Sequence, residues 1–378
     1  MAKRQETIEM FQEFVKDVES RPIYKQFRAF GVGLATVDGE GNYLDTFFPV
    51  VNYEENHGSA AAISFMAGWS HGSGSCELSS KDVENMLDCF AAFENDGKYH
   101  ANIEVLKMLR NHQGENRQKV VAAFVACTED DMGPQGVPDI YLRLGLLTHR
   151  KVLPNEIGVS PGAIMPKLPN VAWTSEGPMT PAEANKRLFS SRLEGKPLRI
   201  FNVDKLPHAL DYYIPSGVRV ADAARVRLGA HMGEGTTVMP SGFINFNAGT
   251  KGESMIEGRV SQGVTVGDKS DIGGGASIQG TMSGGSKVVV SIGERTLLGA
   301  LAGTGIPLGD DCIVAAGTYI MPTTDVQLVK DDGECVPMKA HELSGENGLL
   351  FLRLGDGTIE ARPNKKAVEL NPILHANQ

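Results

Sequence analysis

Glu257 and Arg259, in the stretch Ser254-Met-Ile-Glu-Gly-Arg259, combine a carboxylate and a guanidinium two residues apart. A carboxylate in such a place accepts a proton from an attacking amine, or is itself acylated. A guanidinium grips a carboxylate through paired N–H groups. The plainer alternative is a solvated loop acid with Arg259 as its salt-bridge partner. Further on, Ile278-Gln-Gly280-Thr-Met-Ser-Gly-Gly285 carries glycines that leave backbone N–H groups open. An oxyanion site needs such donors, although a flexible loop with no role has the same composition. Gly273-Gly-Gly275 either lets a ligand lie against the backbone or makes a packed corner. Lys339 and Arg353 suit the phosphates of a large cofactor, or are ordinary surface cations.

Other motifs carry less weight. Gly68-Trp-Ser70-His-Gly72 matches the GxSxG pattern of a nucleophile elbow, which needs a strand before it and a helix after it. The apolar run Ala60–Ala67 precedes it, but the following Ser73-Gly-Ser-Cys-Glu-Leu-Ser79 does not read as a helix, so a serine hydrolase is disfavoured. Nine histidines are scattered, and only His231 falls in the repeat described next, where a zinc site would need three. Cys76, Cys89, Cys127, Cys312 and Cys335 are odd in number with no CxxC spacing, which suits free thiols in a reducing cytosol. The net charge of −10 argues against a nucleic-acid partner. No apolar stretch reaches the ~20 residues of a membrane helix, and the charged amphipathic start is no signal sequence. A cytoplasmic chain is expected.

What must position these residues is a period of six. Val220, Val226, Met232, Val238 and Ile244 form one series, and Val260, Val266, Ile272 and Ile278 a second. Ile292 and Leu298 make a pair, and Leu308, Val314, Ile320 and Val326 a last series. Neither a helix nor an alternating strand sustains that period. It marks a hexapeptide β-helix, in which each unit is one short strand and one corner. Three coils of about eighteen residues would stack about 4.8 Å apart, with the aliphatic side chains inside a narrow prism. Gly267, Gly273, Gly293, Gly299 and Gly309 follow inward positions, where a corner wants either a small residue or glycine's backbone freedom. The spacing breaks at Ile244 to Val260, Ile278 to Ile292 and Leu298 to Leu308. Each break is expected to extrude a loop, over Asn245–Gly258, Gly280–Lys287 and Ala302–Pro307, and extruded loops often carry sites.

Upstream, residues 1–150 read as an α/β domain. An amphipathic helix over 5–19 presents Ile8, Phe11, Val15 and Val18. Strands at 28–37 and 43–51 flank the hairpin signal Asp38-Gly-Glu-Gly-Asn42. Further helices carry Val83, Met86, Leu87 and Phe90, then Ile103, Leu106 and Leu109, before a buried strand at Lys119–Cys127. Residues 151–217 read as a linker with a short helix and strand. Within it, 151–178 is Pro/Gly-rich loop, and Thr180-Pro-Ala-Glu183 opens a capped helix that stops near Gly195. The β-helix is placed at 218–329. A β cap and loose tail fill 330–378, with strands at 335–339, 348–354 and 357–361 and a turn at Gly355-Asp-Gly357.

Residues from about 177 to 355 resemble the tetrahydrodipicolinate N-succinyltransferase family, particularly its longer type seen in actinobacteria. The likeness rests on Val203-Asp-Lys-Leu-Pro207, Asp211-Tyr-Tyr-Ile-Pro-Ser-Gly-Val218, Arg225-Val-Arg-Leu-Gly-Ala-His231 and Gly242-Phe-Ile-Asn-Phe-Asn-Ala-Gly-Thr250. Ser254-Met-Ile-Glu-Gly-Arg259, Gly273-Gly-Gly-Ala-Ser-Ile278 and Glu342-Leu-Ser-Gly345 extend it. The resemblance implies a left-handed parallel β-helix and a homotrimer with active sites between subunits. It implies transfer of a succinyl group from succinyl-CoA to the amine of ring-opened tetrahydrodipicolinate, in diaminopimelate and lysine biosynthesis. Glu257 corresponds to the family's catalytic glutamate and Gly280 to its oxyanion-binding glycine. Arg259, Gly274, Ser277, Ala300, Ala315, Ala316 and Lys339 fall where relatives contact succinyl-CoA. Ala224 and Ser241 stand where relatives place two acids around magnesium, so no metal site is expected, and Gly233 stands where the shorter enterobacterial type has Asp. The rival readings are another CoA-dependent hexapeptide acyltransferase and a non-catalytic β-helix scaffold.

Overall fold

The computed structural model describes residues 4–94, 96–112, 117–127, 129–280, 288–368 and 370. The chain forms two compact units, Met1–Leu146 with Gly158–Pro207, and Leu147–Ile157 with His208–Gln378. The stretch 151–178, read as loop from its Pro and Gly, is thus shared between units. It holds a helical turn, Pro161–Ile164, and a strand, Val171–Thr174, and Ile157, Val159 and Ile164 are buried. Those apolar side chains anchor it in spite of its composition.

The first unit is built on an antiparallel sheet. Its strands run in the order Tyr43–Phe47, Phe27–Val37, Gln118–Ala126 and Gly74–Glu77, with Asn52–Tyr53 also paired to the second. Helices at Ile8–Glu19, His57–Met66, Ser80–Cys89 and Ala101–Arg110 bury Val18, Ile63, Met86 and Leu106 around Phe27, Phe30 and Phe124. Ile8, expected on the buried face of its helix, is exposed. The run Ala60–Ala67 lies in the helix His57–Met66 and its exit, and a strand follows at Gly74–Glu77. A helix before Ser70 and a strand after it reverse the order an elbow needs. The helix predicted from a capping box is present at Pro181–Leu193: Thr180 Oγ1 accepts from the Glu183 N–H, and Glu183 Oε2 accepts from the Thr180 N–H. It packs beside the three-stranded sheet Gly177–Met179, Val171–Thr174 and Ile200–Asp204.

The second unit is a parallel β-helix whose successive turns, or rungs, pair strand on strand along three faces. Six two- or three-residue strands stack on one face, from Arg219–Val220 through Thr237–Val238, Ser254–Ile256, Ser270–Ile272 and Leu297–Leu298 to Ile313–Val314. This is more than the three coils expected, and the reason corrects the expected loops too. Ile244 to Val260 is one whole turn: Thr250 and Ile256 are both fully buried inward residues at the regular spacing, and only the corner Glu257-Gly258 is short. Leu298 to Leu308 is explained the same way, with Thr304 buried inward and the shortened corner at 305–307. Neither segment is extruded. Only Ile278 to Ile292 makes room for an insertion between adjacent faces, and its residues 281–287 lie outside the described ones.

The corner glycines are selected by close approach. A Cβ on Gly267 would lie 2.5 Å from the Gly293 carbonyl carbon, and one on Gly299 would lie 2.6 Å from the Ala316 nitrogen. The left-handed positions come two residues later, at Lys269, Gly275, Arg295, Leu301, Asp311 and Gly317. Beyond the last coil, the strands Asp325–Val329, Cys335–Lys339, Leu349–Arg353 and Ile359–Pro363 extend the six-stranded face, with Phe351 buried against Val314 in register. The turn at 355–357 closes the last hairpin.

The buried threonines explain how the prism tolerates a polar lining. Thr250 Oγ1 lies 2.6 Å from Thr236 Oγ1 and accepts from the Gly233 N–H at 3.0 Å. Thr250→Val keeps the shape and removes these bonds. It is expected to lower unfolding free energy by about 0.5–1.5 kcal/mol, read by urea titration, because the side-chain bonds are lost while the Gly233 N–H keeps the Thr250 carbonyl and Thr236 Oγ1 keeps the Gly252 carbonyl.

Candidate active site

Glu257 sits on the shortest corner of its face. Between the strands Ser254–Ile256 and Arg259–Val260 there are only Glu257 and Gly258, whereas the next rungs use Gly273–Ala276, Gly299–Ala302 and Ala315–Thr318. The N–H groups of Glu257 and Gly258 both donate to the Ile272 carbonyl, at 2.8 and 3.0 Å. A Cβ on Gly258 would lie 2.5 Å from the Ala276 oxygen, so the tight turn requires glycine there. Glu257 leans onto the next rung: its Oε2 lies 3.4 Å from where a Cβ on Gly274 would be. Among the described residues its carboxylate makes no hydrogen bond or ion pair.

Arg259 leaves the same corner on the other side. Its side chain is exposed, and Nη2 donates to Ser277 Oγ at 2.6 Å, across the register Arg259↔Ser277. Among the described residues no ion pair joins it to Glu257, so the salt-bridge alternative is not what the fold forms. Glu257, Arg259, Gly274 and Ser277 therefore share one corner over two rungs. Ala300 and Ala316 are exposed at the equivalent corner of the following rungs, with Ala315 beside them. Arg353 ends the cap strand that stacks next, and its N–H donates to Thr318 Oγ1 at 3.2 Å. The small residues make a column about 4.8 Å per rung, with a carboxylate at one end and a cation at the other.

Two expected site residues stand apart from it. Lys339 is on the outer strand of the cap sheet, three strands from that of Arg353, and its Nζ pairs with Asp325 Oδ1 at 2.7 Å. Gly280 follows the strand Ser277–Ile278 and so lies at a different corner of the prism from Glu257. A Cβ on it would lie 2.9 Å from the Gln262 oxygen. The rest of its glycine loop lies outside the described residues. His231 is buried with Nδ1 2.9 Å from the Val152 oxygen, and burial holds its pKa below the ordinary value.

One acid escaped the sequence reading. Asp271, on the strand Ser270–Ile272, has its carboxyl pushed up to about 6, by burial first and by the charge of Glu257 second. Its signal was available only after Thr250 and Ile256 had been counted as inward residues, because that count places Asp271 and Glu257 on neighbouring rungs.

A six-residue-period β-helix with a carboxylate and a guanidinium at one corner is the frame of the hexapeptide acyltransferases. Family models match three stretches of the chain. The N-terminal domain of tetrahydrodipicolinate N-succinyltransferase matches residues 9–160, its middle domain 168–208, and the hexapeptide repeat of succinyl-transferase 289–322. A 2,3,4,5-tetrahydropyridine-2,6-dicarboxylate N-succinyltransferase of Vibrio cholerae is 44% identical over 351 residues, covering 92% of this chain and 98% of that protein. The same-named protein of Pseudomonas paraeruginosa is 44% identical, covering 92% and 97%. A Campylobacter jejuni crystal structure, described as a 2,3,4,5-tetrahydropyridine-2-carboxylate N-succinyltransferase, superposes with a TM-score of 0.87 at 34% identity, over 97% of this chain and all of the other. The chain belongs to the tetrahydrodipicolinate N-succinyltransferase family. The likeness includes the first 150 residues, which lie outside the stretch 177–355 that carried the resemblance in the sequence.

Proposed function

We propose that this chain transfers the succinyl group of succinyl-CoA to the amine of ring-opened tetrahydrodipicolinate, 2-amino-6-oxopimelate, in diaminopimelate and lysine biosynthesis. The observation that carries it is the corner itself, a carboxylate unpaired among the described residues and an exposed guanidinium, on a scaffold whose family membership spans the chain. Glu257 takes the proton from the acceptor nitrogen as it attacks the thioester carbonyl. A C–N bond forms, the C–S bond breaks, and CoA leaves as the thiol after taking a proton. The column Gly274, Ala300, Ala315 and Ala316 gives the extended donor a path along the prism. Ser277 lines its start, and Arg353 supplies a cation for its phosphates.

Gly280 is assigned the oxyanion contact through its backbone N–H. Its position at a different corner from Glu257 supports a site completed by a second copy, with Glu257 from one subunit and Gly280 from its neighbour, and hence a homotrimer. Light scattering at three times the chain mass is the expected result; a monomer with full activity would remove the shared site. The cytoplasm is the proposed compartment, supported by five free cysteines. No helix among the described residues is long and apolar enough to cross a membrane.

Donor choice tests the assignment of Arg259. Its guanidinium is placed to pair with the free carboxylate of the succinyl group, which acetyl lacks. Arg259→Ala is expected to raise KM for succinyl-CoA about 10–100-fold, the worth of a charged hydrogen-bonded pair. The rate measured with acetyl-CoA, which lacks that carboxylate, is expected to be the same in the variant as in the wild type. An equal loss with both donors would place Arg259 outside the succinyl contact.

A further inference from the structure

Asp271 lies outside the prism, one rung from Glu257. Its strand runs parallel to Ser254–Ile256 and to Leu297–Leu298, with Asp271 directly opposite Met255 and Leu297. Ile256 and Ile272 are the fully buried inward residues. Glu257 and Asp271, each next to one of them, therefore project from the outer side. Opposite Met255 means diagonal to Glu257, a separation over which long side chains on paired strands interact.

The surroundings do not ask for an acid. Met255 and Leu297 face Asp271 from the rungs on either side, and neither carries charge. Glu257 is the titratable group whose charge acts on it. Among the described residues its carboxylate has no hydrogen-bond or ion-pair partner. A half-buried carboxylate beside a like charge, with no counter-ion, costs stability. Packing alone would be better served by a neutral residue, so what retains the acid is to be sought in its neighbour.

We propose that Asp271 is a positioning residue for Glu257, its negative charge holding the Glu257 carboxylate over the Gly274 corner and away from its own strand. This rests on the reading of Glu257 as the base. When Asp271 takes up a proton, its O–H donates to the Glu257 carboxylate and draws it back from the corner, and the lone pair that accepts the amine proton is engaged. The carboxyl titrates at about 6, so the switch falls in the acid limb of the rate profile.

The test is Asp271→Asn, which makes the protonated form permanent, measured beside Glu257→Gln. Two readouts are expected to move in opposite directions. The folded chain holds the Asp271 proton more tightly than the unfolded chain does, so wild-type stability falls as pH rises from about 4 to about 6. The Asn variant escapes this. Its Tm should exceed the wild type's by roughly 2–4 °C at pH 8 and match it below pH 4. At pH 8 its kcat should be roughly 10–100-fold lower, with KM for succinyl-CoA unchanged and the acid limb near pH 6 gone. An unchanged acid limb, or stability and activity falling together, overturns the proposal. A Glu257→Gln variant that keeps the wild-type rate overturns the reading of Glu257 instead, whatever Asp271→Asn does.

Discussion

Glu257→Gln is expected to lower kcat by about 10²–10⁴-fold, the contribution of a placed general base, while the fold and the binding of succinyl-CoA are retained. The reason the fold should survive is local. What holds this corner is backbone: the Glu257 and Gly258 N–H groups on the Ile272 carbonyl, and a glycine where Ala276 comes close. The carboxylate itself is bonded to nothing among the described residues, so exchanging one oxygen for an amide nitrogen removes no structural contact. Gln also keeps the reach to Gly274. Loss of activity would therefore report proton acceptance. The measurement is thiol release from succinyl-CoA in the presence of tetrahydrodipicolinate. If Glu257 carried the acyl group, wild type would release about one thiol per site without acceptor, by the logic of a covalent intermediate. Release that survives the substitution would keep the acyltransferase and remove Glu257 from its mechanism.

The β-helix was legible because aliphatic residues at every sixth position have no other simple explanation, and all of them from Val226 to Ile320 prove buried. What obscured its detail was chemistry inside the prism. Thr250 and Thr304 occupy inward positions but look like loop residues, so two short corners read as long extruded loops. A threonine fits there because its hydroxyl is satisfied internally: Thr304 Oγ1 donates to the Ile306 oxygen at 2.8 Å and accepts from the Ile306 N–H at 3.1 Å. That is a cap for the shortened corner, invisible to a hydrophobicity count. The site shows the same split. Glu257 and Arg259 were readable from type and spacing, but not that Arg259 bonds Ser277 and leaves Glu257 alone. Asp271 depends on register between rungs, which shifts by two residues at the corner Glu257-Gly258. In the N-terminal unit, patterning found the helices Ile8–Glu19, Ser80–Cys89 and Ala101–Arg110 and the central strand, missed His57–Met66 and Val137–Thr148, and gave no hint of a charged core, because sequence spacing does not show which of many acids meets a buried arginine.

That charged core should be the most sensitive point of the first unit. Arg143, on the helix Val137–Thr148, is fully buried. Its Nη1 and Nη2 donate to the two oxygens of Asp131 at 3.0 and 2.6 Å, and Nε lies 3.6 Å from Asp139 Oδ2. Burial opposes charge on Asp131, yet hydrogen bonds from Arg143, Ser73 and Gly133 hold its carboxyl below the usual range. Burial pushes the Asp139 carboxyl up, against bonds from the Gln135 and Gly136 N–H groups. Arg143→Met fills similar space and takes away the counter-charge, leaving Asp131 with Arg28 at 3.6 Å. The expected cost is about 3–5 kcal/mol at pH 7.5, the usual result of removing one partner from a buried pair. The chain's two tryptophans, Trp69 and Trp173, both belong to this unit, so their fluorescence in urea reports its unfolding. The pH dependence carries the mechanism. In the variant both acids are stabilised by taking up protons on folding, so its deficit against wild type should shrink as pH falls toward 5. Adding Asp131→Asn should recover part of the loss at pH 7.5, because the stranded charge is then gone. A deficit that is the same at both pH values, with no recovery in the double variant, would mean that lost packing and not the unpaired carboxylate is what unfolds the unit.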